Sequence, residues 1–366
     1  MERLKVGVIG AGMAFERLHY PAYQELSKEY QIAAICDVDR PKAMESGRKL
    51  GLGERDIYTD YREMVRRGDL QVIDIMVPIG KNFTVAEAVA AQVSGTGKGI
   101  ILEKPLGPTP EQAKAAAEIP RKYQVMIMIA ENYRYNEEIN LIRDLIREGH
   151  LGDVDYFVCN RAFSLPDDMK QDTYMAREWR QYPDFPGGVF YDGAVHDMAA
   201  LRHIFGAIDE VSAYGQKKAV SLGQYTVVNS IIRFTSGLTG SYSYYSGGKE
   251  LQAPWVGLRI MGRNGELYHE DRDSGIVNLA YSDGSAKQFP YRPRRGYYNE
   301  LLNFYHAYLG RETLAVPPEM EYGDSRTIFA ILESIEDETP VKVDRDDEYP
   351  LLERRMATGA TEYQKM

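Results

Sequence analysis

The chain has 366 residues, 44% hydrophobic and 27% charged, a soluble composition long enough for two domains. Its formal charge of −10 argues against nucleic-acid phosphate and anionic membrane surfaces as partners. Two cysteines without metal or redox spacing, and no apolar run near the ~20 residues that span a bilayer, point to a reduced, cytoplasmic setting.

Lys5 to Ile9 reads as an apolar strand running into Gly10-Ala11-Gly12-Met13-Ala14-Phe15 and then a helix. Glycines there let the backbone approach a pyrophosphate, which the helix N-terminus stabilises. Phe15 stands where such motifs carry a third glycine. Gln31 to Cys36 is a second strand, and Asp37 at its end is placed to bond ribose hydroxyls and repel a 2′-phosphate. NAD is therefore the expected cofactor, with NADP as the alternative because Arg40 lies close.

Gln71 to Val77 is a third strand, stopped by Pro78, and Phe83 to Val93 an alanine-rich helix. Gly99 to Leu102 follows as a short buried strand ending in Glu103-Lys104-Pro105. In an open α/β sheet, ligands sit beyond the carboxyl ends of the strands, which puts Lys104 where cofactor and substrate meet. Thr109 caps the next helix, and Tyr123 to Ile129 reads as one more strand. Strands alternating with helices predict a Rossmann-type, doubly wound parallel sheet over residues 1–131, the NAD(P)-binding domain.

The pattern changes over 132–366. After an amphipathic helix from Asn140 to Glu148, strands read at Asp153–Phe163, Asp209–Gly215, Tyr225–Phe234, Leu238–Ser246, Val256–Met261, Glu266–Glu270 and Ile276–Tyr281. Thr226, Val228, Ser230, Ile232 and Phe234 share one face of their strand. Ser236-Gly237, Asn264-Gly265 and Asp283-Gly284 read as primed hairpin turns. Helices at Tyr297–Leu309 and Ser325–Ile335 complete an α+β domain on an open, mostly antiparallel sheet, assigned to substrate binding and oligomerisation. Gly187-Gly188 precedes a helix carrying Asp192 and His196, four apart and so on one face. A carboxylate can fix an imidazole while the imidazole exchanges a proton with a hydroxyl. His203 is read as structural, and no pair among His19, His150, His269 and His306 has metal-ligand spacing.

Together these residues resemble the glucose–fructose oxidoreductase / inositol dehydrogenase / rhizopine-catabolism (Gfo/Idh/MocA) family, from Val6 to about Pro340. Glu103-Lys104-Pro105 matches the family's E-K-P signature, and Trp179-Arg180, Gly187-Gly188, Asp192 and His196 match its second. Asn82 departs from it, standing where many members carry a histidine. The resemblance implies an NAD(P)-dependent dehydrogenase or reductase acting on a hydroxyl of a sugar, polyol, inositol or related cyclic alcohol. It implies catalysis by Lys104, Asp192 and His196, and cofactor contacts at Gly10, Gly12, Met13, Ala14, Asp37, Pro78, Glu103 and Lys104. Tyr133, Arg161 and Trp179 join the catalytic three as substrate-contact candidates, and no metal is expected. It further implies a cis Lys104–Pro105 bond and a homodimer or homotetramer through the C-terminal sheet. Relatives with retained NAD that cleave or epimerise sugars, and sensors that bind dinucleotide without turnover, are the alternatives.

Overall fold

A computed structural model describes residues 3–162, 183–216, 225–248 and 256–343. Trp179, with its neighbours Arg177 and Arg180, lies outside the described residues. Among the described residues the chain divides into two compact units, one holding 3–132 and Tyr297–Tyr322, the other Tyr133–Gly296 and 323–343.

The first unit is built on strands β1 (Leu4–Ile9), β2 (Tyr30–Cys36), β3 (Ile57–Tyr58), β4 (Val72–Ile75), β5 (Gly99–Glu103) and β6 (Ile127–Ala130). They pair in parallel in the order β3-β2-β1-β4-β5-β6, so the sheet reverses direction beside β1, where doubly wound folds bind their ligands. β4, β5 and β6 are buried at every residue, which is why they read as unbroken apolar runs. Helices α1 (Tyr20–Glu25), α2 (Arg40–Lys49), α3 (Tyr61–Val65), α4 (Ile79–Val93), α5 (Pro110–Ala117) and α6 (Ile119–Tyr123) connect them. Thr109 caps α5 as expected, its hydroxyl accepting from Gln112 N–H at 3.3 Å. The strand expected at Tyr123 begins only at Ile127. Tyr123 instead ends α6, because Gln124 takes the left-handed conformation (φ 53°) that closes the helix. The helix after the glycine turn is π-wound over Phe15–His19 before continuing as α1, so the residue replacing the third glycine opens that turn.

The second unit is built on β7 (Val154–Ala162), β8 (Ile208–Gln216), β9 (Val227–Phe234), β10 (Thr239–Tyr245), β11 (Gly257–Gly262), β12 (Gly265–His269), β13 (Ile276–Tyr281), β14 (Ala286–Pro290) and β15 (Val341–Lys342). Their order is β14-β13-β12-β11-β7-β10-β9-β8-β15, antiparallel throughout except for β7 with β10. Along β9, Val228, Ser230, Ile232 and Phe234 are buried and Asn229 and Ile231 exposed, the expected alternation. Gly237 (φ 92°) and Gly284 (φ 85°) end turns in which each donates its N–H to the residue three before it, Phe234 and Tyr281, at 3.0 Å. The third hairpin turns one residue earlier than expected, at Arg263 and Asn264, whose N–H groups donate to Asp153 and Leu151 carbonyls at 2.9 Å. Helices α7 (Glu137–Arg147) and α8 (Val189–Phe205) belong to this unit. Phe157 of β7 stacks on Phe205 of α8 (5.1 Å) and meets Phe234 edge-on (5.7 Å), tying helix to sheet. Two further helices, α9 (Gly296–Tyr308) and α10 (Pro318–Asp337), lie in the chain between β14 and β15. Among the described residues no helix is long and apolar enough to cross a membrane.

Candidate active site

The glycine turn comes first in the chain. Gly10 sits at φ 101° with its N–H on the Cys36 carbonyl (2.8 Å), and a Cβ there would overlap the Met76 carbonyl oxygen, so only glycine fits. At Gly12 an added Cβ would meet only the Lys42 ammonium, 3.7 Å away, leaving open space where the helix starts. Met13 and Ala14 form the first helical residues, Met13 buried and Ala14 half-buried. Asp37 closes the turn from the end of β2. Its carboxylate accepts from Ala11 N–H (2.8 Å) and Asp39 N–H (3.0 Å), with Lys42 Nζ 3.6 Å away. Pro78 opens α4 at the end of β4. Space over Gly12, an unobstructed helix start and an acid beside them fit a dinucleotide's pyrophosphate and ribose. Lys42 escaped the sequence reading, which looked to Arg40; its place over Gly12 follows from one turn of α2.

At the end of β5 the Lys104–Pro105 bond is cis, and Lys104 is half-buried. Asn82 of α4, fully buried, donates its amide to the carbonyls of Glu103 (3.0 Å) and Pro105 (2.8 Å). Glu103 accepts from Lys104 N–H on one oxygen (3.1 Å) and meets His19 Nε2 with the other (3.1 Å). His19 Nδ1 lies 2.9 Å from Asp74, which also accepts from the Tyr23 hydroxyl (2.8 Å). Burial alone would depress the His19 pKa, but Asp74 and then Glu103 outweigh it and hold it well above the ordinary histidine value. Glu300 of α9 is fully buried, with no hydrogen bond to either carboxyl oxygen. Burial, opposed by His19 but reinforced by Glu103, Glu131 and Asp74, pushes it well above the carboxylate range and favours its neutral form. Sequence reasoning missed His19 and Asp74. The available signal was an aspartate inside the apolar strand Val72–Ile75.

In the second unit, α8 starts after Gly187 (φ 77°) and Gly188 (φ 52°). Asp192 lies buried in its first turn, and His196 one turn on stacks its ring on Tyr133 at 4.6 Å and 18°. Arg161 donates to Asp197 at 2.6 Å, and the Tyr242 hydroxyl donates to the other Asp197 oxygen at 2.9 Å. Burial opposes the Arg161 charge, but Asp197 holds its pKa well above even the usual arginine value. Its guanidinium is thus tied to Asp197, which limits what it offers a substrate. Glu138, almost wholly buried with one oxygen unpartnered, is raised to about 7 by burial. Among the described residues no group of three or more His, Cys, Asp or Glu is arranged to hold a metal ion.

Residues 4–131 match the model of the oxidoreductase family's NAD-binding Rossmann fold, and residues 143–343 that of its C-terminal alpha/beta domain. The chain belongs to the Gfo/Idh/MocA oxidoreductase family. It is 25% identical over 343 residues to D-xylose 1-dehydrogenase (NADP(+)) 2 of Haloferax volcanii, covering 92% of this chain and 99% of that protein. It is 29% identical over 221 residues to levoglucosan dehydrogenase of Pseudarthrobacter phenanthrenivorans, covering 58% of this chain but only 54% of that one. A solved levoglucosan dehydrogenase in complex with NADH has the same fold, with TM-score 0.81 at 22% identity, covering 94% of this chain and 100% of that chain. This family member is an NAD(P)-dependent oxidoreductase, and its relatives include sugar and inositol dehydrogenases.

Proposed function

We propose that this family member oxidises, reversibly, one hydroxyl of a sugar, polyol, inositol or related cyclic alcohol, with Lys104, Asp192 and His196 at the reacting centre. The observation that carries the reading is the clamped E-K-P strand end in a Gfo/Idh/MocA chain that also keeps Asp192 and His196 one turn apart on α8. The domain that holds the dinucleotide spans 1–131, and 132–366 holds the substrate. Gly10, Gly12, Met13, Ala14, Asp37, Pro78, Glu103 and Lys104 would hold the dinucleotide, whose nicotinamide supplies the hydride chemistry.

His196 takes the hydroxyl proton during oxidation and returns it during reduction. Stacking on Tyr133 restricts the ring to one plane, which serves that role. Lys104 donates a hydrogen bond to the same oxygen and stabilises its alkoxide character. Asp192 orients the substrate or the His196–Lys104 pair. Tyr133 and Trp179 contact the sugar ring, and Arg161 shapes the pocket through its bond to Asp197. A homodimer or homotetramer forms through the open sheet face, where Tyr214 and Ile231 stand 73% and 54% exposed.

The test is absorbance of reduced nicotinamide with NAD and, separately, NADP, against sugars, inositols, anhydrosugars and uronates. Wild type reduces the cofactor with at least one of them, and Lys104→Ala loses ~10²-fold or more in rate. Equal rates in the two proteins would remove Lys104 from the reacting centre.

A further inference from the structure

The main chain around Lys104 is held from two directions, both within the first unit. From α4, the buried Asn82 amide bonds the carbonyls on either side of Lys104, those of Glu103 and Pro105. From the other side, the Glu103 carboxylate bonds the Lys104 N–H itself and is pinned in turn by His19. An imidazole lying between two carboxylates can satisfy both only by donating from both nitrogens, as an imidazolium. The groups around His19 come from four elements: Tyr23 from α1, Asp74 from β4, Glu103 from β5, and Tyr297 and Glu300 from α9.

Stability alone does not explain this arrangement. Replacing a buried ion pair by apolar residues of similar volume is often neutral or stabilising. What apolar residues cannot do is aim a carboxylate oxygen at one particular N–H, or tie two carbonyls that flank one residue. One oxygen of Asp74 and the amide oxygen of Asn82 are buried without a hydrogen-bond partner. The bonds that Asn82 and Glu103 do make end on the main chain next to Lys104 or on the carboxylate that holds it, and such directed bonds fix the local geometry. Asn82 and His19 reach the strand end from different elements, and Lys104 is the residue they enclose.

We infer that His19 and Asn82 are positioning residues for Lys104, fixing the backbone from which its ammonium reaches the substrate oxygen. The inference rests on the reading of Lys104 as a member of the reacting centre. Neither side chain touches the substrate. His19 acts through Glu103, and Asn82 through the two carbonyls.

The test takes full-length His19→Gln, Asn82→Ala and Lys104→Ala through three measurements: thermal midpoint, NADH affinity by fluorescence, and steady-state kinetics on the alcohol that wild type oxidises. Glutamine cannot donate to Asp74 and Glu103 from opposite sides, and alanine removes the amide without adding charge, so the two variants fail independently if one does not fold. The expected result for both is a fall in kcat of about 10- to 100-fold, the scale of a misplaced catalytic group. NADH affinity and the alcohol's KM then change by no more than about threefold. Crystal structures of the two variants should show the Lys104 main chain displaced. Wild-type kcat in both variants beside an inactive Lys104→Ala overturns the positioning role alone. An unmoved Lys104 main chain in both does the same without any substrate. Full activity in Lys104→Ala overturns instead the reading on which the inference rests.

Discussion

His19 in the first unit and His203 in the second are the same side chain turned to opposite ends by their neighbours. Both lose water, and burial pushes both towards the neutral form. Around His19 the next largest influence is Asp74, with Glu103 behind it, and the ring keeps its proton. Around His203 it is Arg143, then Arg134 and Arg147, and the pKa falls well below the ordinary value. Arg143 Nη1 lies 2.6 Å from His203 Nε2, a contact that favours an accepting nitrogen on a neutral ring, while Asn140 Oδ1 competes for a proton on the same nitrogen from 3.0 Å. A buried histidine is therefore not one kind of residue. Its charge belongs to the two or three groups it faces.

The sharpest way to break this comparison is to remove the ring from each place. His19→Leu leaves Asp74 and Glu103 buried without their cation, and should lower unfolding free energy by about 3–5 kcal/mol at pH 7, read by denaturant titration. A loss under about 1 kcal/mol at pH 7 would show that His19 carries no charge.

Glu300 sharpens the contrast from the other side of the same cluster. Its folded pKa is raised, so the native state binds a proton that the unfolded chain has released above the ordinary carboxylate value. Stability is thus lost as pH rises. Glu300→Gln keeps the shape without the proton. It should unfold at a temperature higher than wild type by a few degrees at pH 8, with the gap closing near pH 4. Equal midpoints at both values would mean that Glu300 is not a buried acid.

The smallest effect is at His203. Because its folded pKa is depressed, the unfolded chain takes up a proton below about pH 6.5 and the native state does not. His203 therefore costs stability as pH falls, whereas His19 contributes stability below the same pH and loses it as pH rises through its raised folded value. His203→Gln should stay within about 1 kcal/mol of wild type at pH 8 and lose less than wild type between pH 7 and pH 5. A wild-type slope in the variant would place the titrating group elsewhere.

Much of the fold was legible because its signals are local. Buried parallel strands read as apolar runs, and β9 shows its alternation residue by residue. The glycine turn, Asp37 and the E-K-P strand end were visible for the same reason, each being a few adjacent residues. What stayed hidden depends on partners far apart in the chain. His19 meets Asp74 and Glu103 across separations of 55 and 84 residues, and spacing among the histidines carried no hint of it. Tyr123 went to a helix because one left-handed residue, Gln124, decided the boundary after it. Arg161 reads in the sequence as available to a substrate, but Asp197 of α8 holds it.

Tyr297–Tyr322 returns to the first unit after eight of the nine described strands of the second unit's sheet, β7 through β14, have been threaded. It supplies the Leu301 carbonyl that accepts from the Tyr30 hydroxyl (2.6 Å) and the Val316 carbonyl that accepts from Ile129 N–H (2.9 Å). Phe304 fills the space beside Gly99, where a Cβ would come within 2.8 Å of its ring. A ribosome making this chain delivers the amino-terminal sheet early but the pieces that seal it late. Vectorial synthesis therefore gives the first unit no head start: its last wall emerges from the exit tunnel only after the second unit's sheet strands through β14, and truncation behind Asn132 would yield a sheet with one flank bare.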